Sequence, residues 1–261
     1  MFETKYKETF QPVGHCIYCG ANNQKLTDEH IIPFGLGGKL ILPKSSCPNC
    51  SLITSQFEQF CLRPFFGNPR MVLDLPTRLP KERPKKAPME YIGADGKRHK
   101  SPISLEEVPL IILGFNFPEP RFLMGLPPTE EVEGDLVARY IDNEIQKRFL
   151  DSDVKQIKLG SVNILLFSRM IAKIAHSFAI SQLGYGTFNP FLTDLILGNF
   201  SQYSTFVGGY KNQDNLKFPE VPLHYIYMKD ISFKNNDYIS VVINLFAFAD
   251  MPTYQVIVGV K

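Results

Sequence analysis

The sequence contains no internal repeat and no low-complexity tract beyond one basic, proline-rich stretch, which argues against solenoid and array architectures. No apolar run reads as long enough to span a bilayer. The opening residues, MFETKYKETFQPVGHC, lack the apolar stretch of a secretory signal. The expectation is a cytoplasmic chain with no membrane partner. Cysteines are few, five in all. In a reducing compartment, closely spaced cysteines bind metal more often than they form disulfides. Net charge is small, +2 over 261 residues. What is present is ordinary for a globular protein: 44% hydrophobic residues, enough for a core, and a length suited to one large domain or two small ones.

The small net charge hides an uneven distribution. Ten Lys or Arg and four acids lie between Arg63 and Lys100, so that stretch carries +6 and the remainder −4. Such asymmetry suggests an anionic partner. Within it, PTRLPKERPKKAP (76–88) has four prolines among its bases, which forbids a regular helix and favours an extended, solvated segment. Residues 76–100 read as a basic linker between residues 1–75 and residues 101–261. Its Arg78, Lys81, Arg83, Lys85 and Lys86 are either phosphate contacts or solvated linker charges.

The densest chemistry lies in CIYCGANNQKLTDEHIIPFGLGGKLILPKSSCPNCS (16–51). Cys16-x-x-Cys19 and Cys47-x-x-Cys50 have 27 residues between them. Each pair on a tight turn aims two thiolates at one centre, and two such turns make the closed tetrahedral site of structural zinc. A redox dithiol is the competitor, set aside on the expectation that neither pair opens a helix after a strand. Cys61, among Phe57, Phe60 and Leu62, reads as a small buried residue. Between the pairs, LTDEHIIP reads as a short strand on which alternation turns Glu29 away from Asp28 and His30. GLGG is a turn and KLIL (39–42) a returning strand. Ser46 or Cys47 caps a helix with Pro48 in its first turn. On that helix Ser51, Ser55 and Glu58 share one face, and Ile53, Phe57 and Phe60 the core face.

The pattern CIYCG…LTDEHIIP…GLGGK…CPNC resembles the zinc-containing branch of the HNH endonucleases, whose fold is the ββα-metal finger. The resemblance covers about residues 15–62. It implies that His30 is the general base activating water against a DNA phosphate. Glu29 would be a ligand of a catalytic Mg2+ or Mn2+, and the four cysteines would hold structural Zn2+. Two positions depart from the family pattern. Lys39 stands where the middle Asn is usual, and Ser51 where the last His or Asn is usual. Ser51 is a weak metal ligand; Glu58, two turns along on its face, or Asn49 would supply the oxygen instead. Lys39 then joins the basic residues as a nucleic-acid contact.

The remainder reads as α+β. EVPLIILGFNF (107–117) is strand-like, residues 161–184 form the longest helix, and 191–198 form a shorter one ending in glycine. Three strands (223–233, 237–249, 253–260) close the chain as an antiparallel meander, with KNND and DMP as turns. Arg169, Lys173 and His176 recur at i, i+4, i+7 on the long helix. They read as its wet face or, alternatively, as a second phosphate-binding surface. The expected architecture is a small zinc-stabilised ββα module followed by a larger α+β domain. The expected function is metal-dependent cleavage of DNA, by analogy in bacterial or phage defence. The alternatives are a zinc-stabilised module that binds nucleic acid without cutting it, and a nuclease gated by a partner protein or small ligand at the C-terminal domain.

Overall fold

A computed structural model describes residues 2–3, 7–141, 144, 154–158, 160–211 and 220–261. The fold is mixed α+β. The N-terminal part contains strands β1 (Phe2–Glu3), β2 (Glu8–Thr9), β3 (Thr27–His30) and β4 (Leu40–Ser46), then helix α1 (Pro48–Phe60). β3 pairs antiparallel with β4, and β2 joins the other side of β4 in parallel. The β3–β4 connection is tight because Gly37 adopts φ +82° and Gly38 has no room for a Cβ against the Ile32 carbonyl. Cys47 caps α1 with Pro48 in its first turn. The buried stripe of α1 is Cys50, Thr54 and Phe57, continued by Cys61, while Ile53 and Phe60 are only partly buried. The core face is thus rotated from the expected Ile53–Phe57–Phe60 line, because Cys50 points inward to converge with the other three cysteines.

A π-helical turn (Cys61–Phe65) and helix α2 (Gly67–Val72) lead to the basic stretch. Only its first part is irregular. From Lys86 the chain forms β5 (Lys86–Gly93) and β6 (Arg98–Ser104), a hairpin completed by β9 (Val154–Ile157). The linker expected over 76–100 is therefore partly a sheet: prolines at 80 and 84 break structure, but the alternating residues beyond Lys86 pair. β7 (Ile111–Asn116) and β8 (Asp135–Tyr140) form a second hairpin, and α3 (Arg121–Met124) lies between them.

The C-terminal meander forms as the pattern predicts. β12 (His224–Phe233), β13 (Asn236–Leu245) and β14 (Thr253–Val260) pair in sequence order, all antiparallel. Lys234 and Asn235, both at positive φ, make the tight first turn. β1 extends the sheet beside β12. β10 (Asn189–Pro190) and β11 (Val207–Gly209) both pair with β14. Helix α4 (Ile164–Leu183) packs on β13 and β14, with the short α5 (Thr193–Leu197) beside it. The Asn163 side chain accepts the Leu166 N–H at 3.0 Å to cap α4, and Gly184 ends it.

α4 corrects two expectations. It is long and apolar enough to cross a membrane by length and composition, but most of it is buried in the protein core. It also has no wet face through its middle: every residue from Met170 to Ile180 is buried, Lys173 and His176 included. Arg169, the third member of the stripe, donates to the Ile196 carbonyl at 2.7 Å and lies over the Phe57 ring. Neither a solvated stripe nor a phosphate-binding surface exists there.

One core runs through both halves. It includes Ile17, Ile31, Leu36 and Phe57 from the N-terminal part and Phe167, Ile171, Ile243 and Val256 from the C-terminal part. Phe167 anchors the junction, its ring 5.2 Å from Phe65, 5.3 Å from Phe115 and 5.4 Å from Tyr254. The boundary drawn at residue 75 does not separate two cores.

Candidate metal centre and the adjoining carboxylate pair

The first CxxC turn is closed by Gly20 N–H donating to Cys16 O at 2.8 Å and Cys16 N–H donating to Ala21 O at 2.7 Å. The second is the first turn of α1, where Ser51 N–H donates to Cys47 O at 2.9 Å and Cys50 N–H points at Cys47 Sγ. The β3–β4 hairpin brings the turns together, and the four Sγ atoms lie within 4.8 Å of one another. Cys19 and Cys47 sulfurs are 3.7 Å apart. A tetrahedron with Zn–S bonds of about 2.3 Å has edges of about 3.8 Å. Burial pushes the Cys16 and Cys50 thiols up from their usual range. It pushes Cys47 the same way, but hydrogen bonds from Cys50 and neighbouring thiols outweigh it. A cation is what would let four such thiolates coexist. The donor set and its spacing fit a closed structural zinc site. Cys47-x-x-Cys50 does open a helix directly after a strand, contrary to expectation, so the redox alternative fails on a different ground: all four sulfurs converge on one point.

His30 ends β3, paired in register with Ile41. It is half-buried, and its ring meets Phe34 edge-on at 5.5 Å. Burial lowers its pKa, and the positive charges of Lys173 and Arg78 lower it further. Glu29, one residue earlier, points the other way, as strand alternation requires, and is 8% exposed. There it meets Glu58 from α1. The ammonium of Lys173, from the middle of α4 and fully buried, lies between them, ion-paired to Glu29 and at 2.8 Å from Glu58 Oε1. Lys173 Nζ also donates to the His30 carbonyl and approaches that of Ile31 at 3.4 Å. Tyr18 adds a buried hydroxyl; burial first, then the charges of Glu29 and Glu58, hold its pKa well above the ordinary phenol value. Burial alone would depress the Lys173 pKa, but the two carboxylates outweigh it and raise it. Burial raises the pKa of Glu58, Lys173 opposes that, and Glu29 adds to the rise.

The other expected site residues lie elsewhere. Ser51 remains in the first turn of α1, where its carbonyl accepts from Thr54 Oγ1 at 3.2 Å; Glu58, not Ser51, shares a cation with Glu29. Lys39, Arg78, Lys81, Lys85 and Lys86 are exposed. Arg83 is half-buried, ion-paired with Asp74 and donating to the Leu75 carbonyl, which makes it part of the scaffold. Sequence reasoning missed Tyr18, and it placed Lys173 on a helix's wet face or phosphate-binding surface rather than in this buried pair. A signal for Lys173 existed: it interrupts MIAKIA, apolar on every side, and a lysine in a helix hydrophobic all round must be buried and paired.

No protein-family model, curated protein or solved structure matches this chain. Function therefore rests on the site.

Proposed function

We propose that the chain hydrolyses phosphodiester bonds in DNA, with His30 as the general base. The observation that carries this reading is the placement of His30. It ends a strand in a strand–turn–strand–helix unit pinned at one corner by four cysteines, and two carboxylates converge just behind it. A half-buried imidazole whose pKa is lowered is neutral near pH 7 and can accept a proton. In the proposed step His30 takes a proton from water, the water oxygen bonds to phosphorus, the bond to the 3′ oxygen breaks, and the departing 3′ oxygen takes a proton from solvent to leave a 3′-hydroxyl and a 5′-phosphate. Arg78, exposed and with its positive charge acting on His30, is a candidate to face the phosphate.

The divalent ion expected from the HNH resemblance is a separate matter. Two carboxylates and two backbone carbonyls are hard oxygen donors, suited by type to Mg2+ or Mn2+. They already surround an ammonium, however, so a divalent ion does not fit with Lys173 in place, and no step is assigned to it.

The test is nicking of supercoiled plasmid by zinc-loaded protein, with Mg2+, with Mn2+ and with chelator. His30→Ala should lower cleavage by roughly 10²–10⁴-fold while zinc content and DNA affinity persist. Wild-type cleavage in that variant would overturn the assignment of the base. The filled cation position favours one second reading, a module that binds DNA through its exposed basic residues without cutting. It predicts binding with no nicking under any metal condition.

A further inference from the structure

We infer that Lys173 is the resident cation of the Glu29–Glu58 pair and excludes divalent metal from it. This deepens the nuclease reading, since it rests on taking that pair as the cation position of the module, but it makes its own prediction about metal binding. Three observations carry it. The ammonium is already engaged: it is ion-paired with both Glu29 and Glu58 and donates to the His30 carbonyl, with the Ile31 carbonyl as a further neighbour. The lysine has no exposed surface, so a metal ion entering the pair would lie against an unsolvated positive charge. The lysine also has nowhere to retreat. Its neighbours Met170, Ile171, Ala172, Ile174 and Ala175 are all fully buried, and α4 packs against α1 on one side and β13 and β14 on the other. Withdrawing the ammonium by moving α4 would open the core that both halves share. The arrangement is therefore a permanent substitution of a side-chain cation for a bound one, and not a gate that a partner lifts.

The exchange also ties the module to the rest of the chain. One lysine joins the strand carrying His30, the helix capped by the zinc ligand Cys47, and α4. The His30 carbonyl, and with it the end of β3, is fixed by Lys173. Lys173 thus acts as a positioning residue for His30 without touching substrate.

The experiment is Mn2+ titration of the full-length, zinc-loaded protein, followed by electron paramagnetic resonance of free Mn2+. Wild-type protein should show no Mn2+ site that depends on Glu29. Lys173→Met frees both carboxylates and should create one site per chain, at least about tenfold tighter than any wild-type binding; adding Glu29→Gln should abolish it. If Lys173→Met does not fold, Lys173→Gln, which keeps an N–H donor for the His30 carbonyl, takes its place. A wild-type Mn2+ site lost in Glu29→Gln would overturn the inference, as would folded Lys173 variants that gain no site. The plasmid assay is read separately. Wild-type protein that neither binds Mn2+ at Glu29 nor cuts DNA leaves the role of Lys173 intact and removes the nuclease reading.

Discussion

Two corners of the same strand–helix unit gather groups suited to a cation, and they do so differently. At one, four cysteines from two local turns converge on a point that suits zinc. At the other, Glu29 and Glu58 converge on a cation that the chain itself supplies, from a position 143 residues beyond His30. An external ion lets a short segment define its own site. An internal ion requires the segment to be completed by a distant helix. The first corner is therefore self-contained in chemistry, while the second exists only once α4 has docked.

The sharpest way to break this comparison is to remove the external cation. Structural zinc contributes on the order of 10 kcal/mol or more to folding small cysteine-rich units. Cys47→Ser should therefore lose zinc and disorder the β3–β4–α1 corner. Zinc content and amide hydrogen exchange check this; retention of full zinc and native protection would defeat the zinc assignment.

Removing the internal cation should cost less but still be severe. Lys173→Met leaves two buried carboxylates facing each other, a change worth about 3–5 kcal/mol. Urea unfolding should show that loss, and the triple change Glu29→Gln, Glu58→Gln, Lys173→Met should recover most of it. Added Mn2+ should stabilise Lys173→Met and leave the wild type unmoved. Equal loss in the single and triple variants would mean that Lys173 acts only through packing.

A third contrast concerns how each corner is tied down. His176 lies within hydrogen-bonding distance of the Ile17 carbonyl in the first CxxC turn at 2.7 Å, and His224 of the Leu36 carbonyl in the β3–β4 connection at 2.7 Å. Burial lowers both pKa values to about 4. Unfolded histidine titrates near 6.5, so between about pH 6.5 and 4 the unfolded chain binds more protons than the native one. Stability is then complete above about pH 6.5 and falls as pH drops towards 4, by on the order of 3 kcal/mol for each histidine. Denaturation midpoints across that window should slope accordingly, and His224→Gln should flatten the slope by roughly half. A midpoint independent of pH there would show that neither ring is neutral and buried in solution.

How much of this was legible beforehand follows the same division. The CxxC spacing, the strand–turn–strand–helix order, the Cys47 cap with Pro48, the long helix ending at Gly184 and the three-strand meander all depend on neighbours within a few residues. Local rules of capping, alternation and turn chemistry were enough. The faces of the helices were misread because amphipathic reasoning assumes that charge seeks water. α1 turned Cys50 inward to the cysteine cluster, and α4 buried Lys173 and His176 where partners awaited them. The β5–β6 hairpin was hidden by the prolines preceding it.

The sequence alone therefore determined a four-thiolate centre and a histidine on the strand between its two turns, because those residues lie within one short, locally folding stretch. It also supplied both carboxylates, but not the cation they would share. Only the tertiary structure decided that. A buried charge takes whatever opposite charge the packing brings within reach, and here the core shared by both halves brings the ammonium of Lys173.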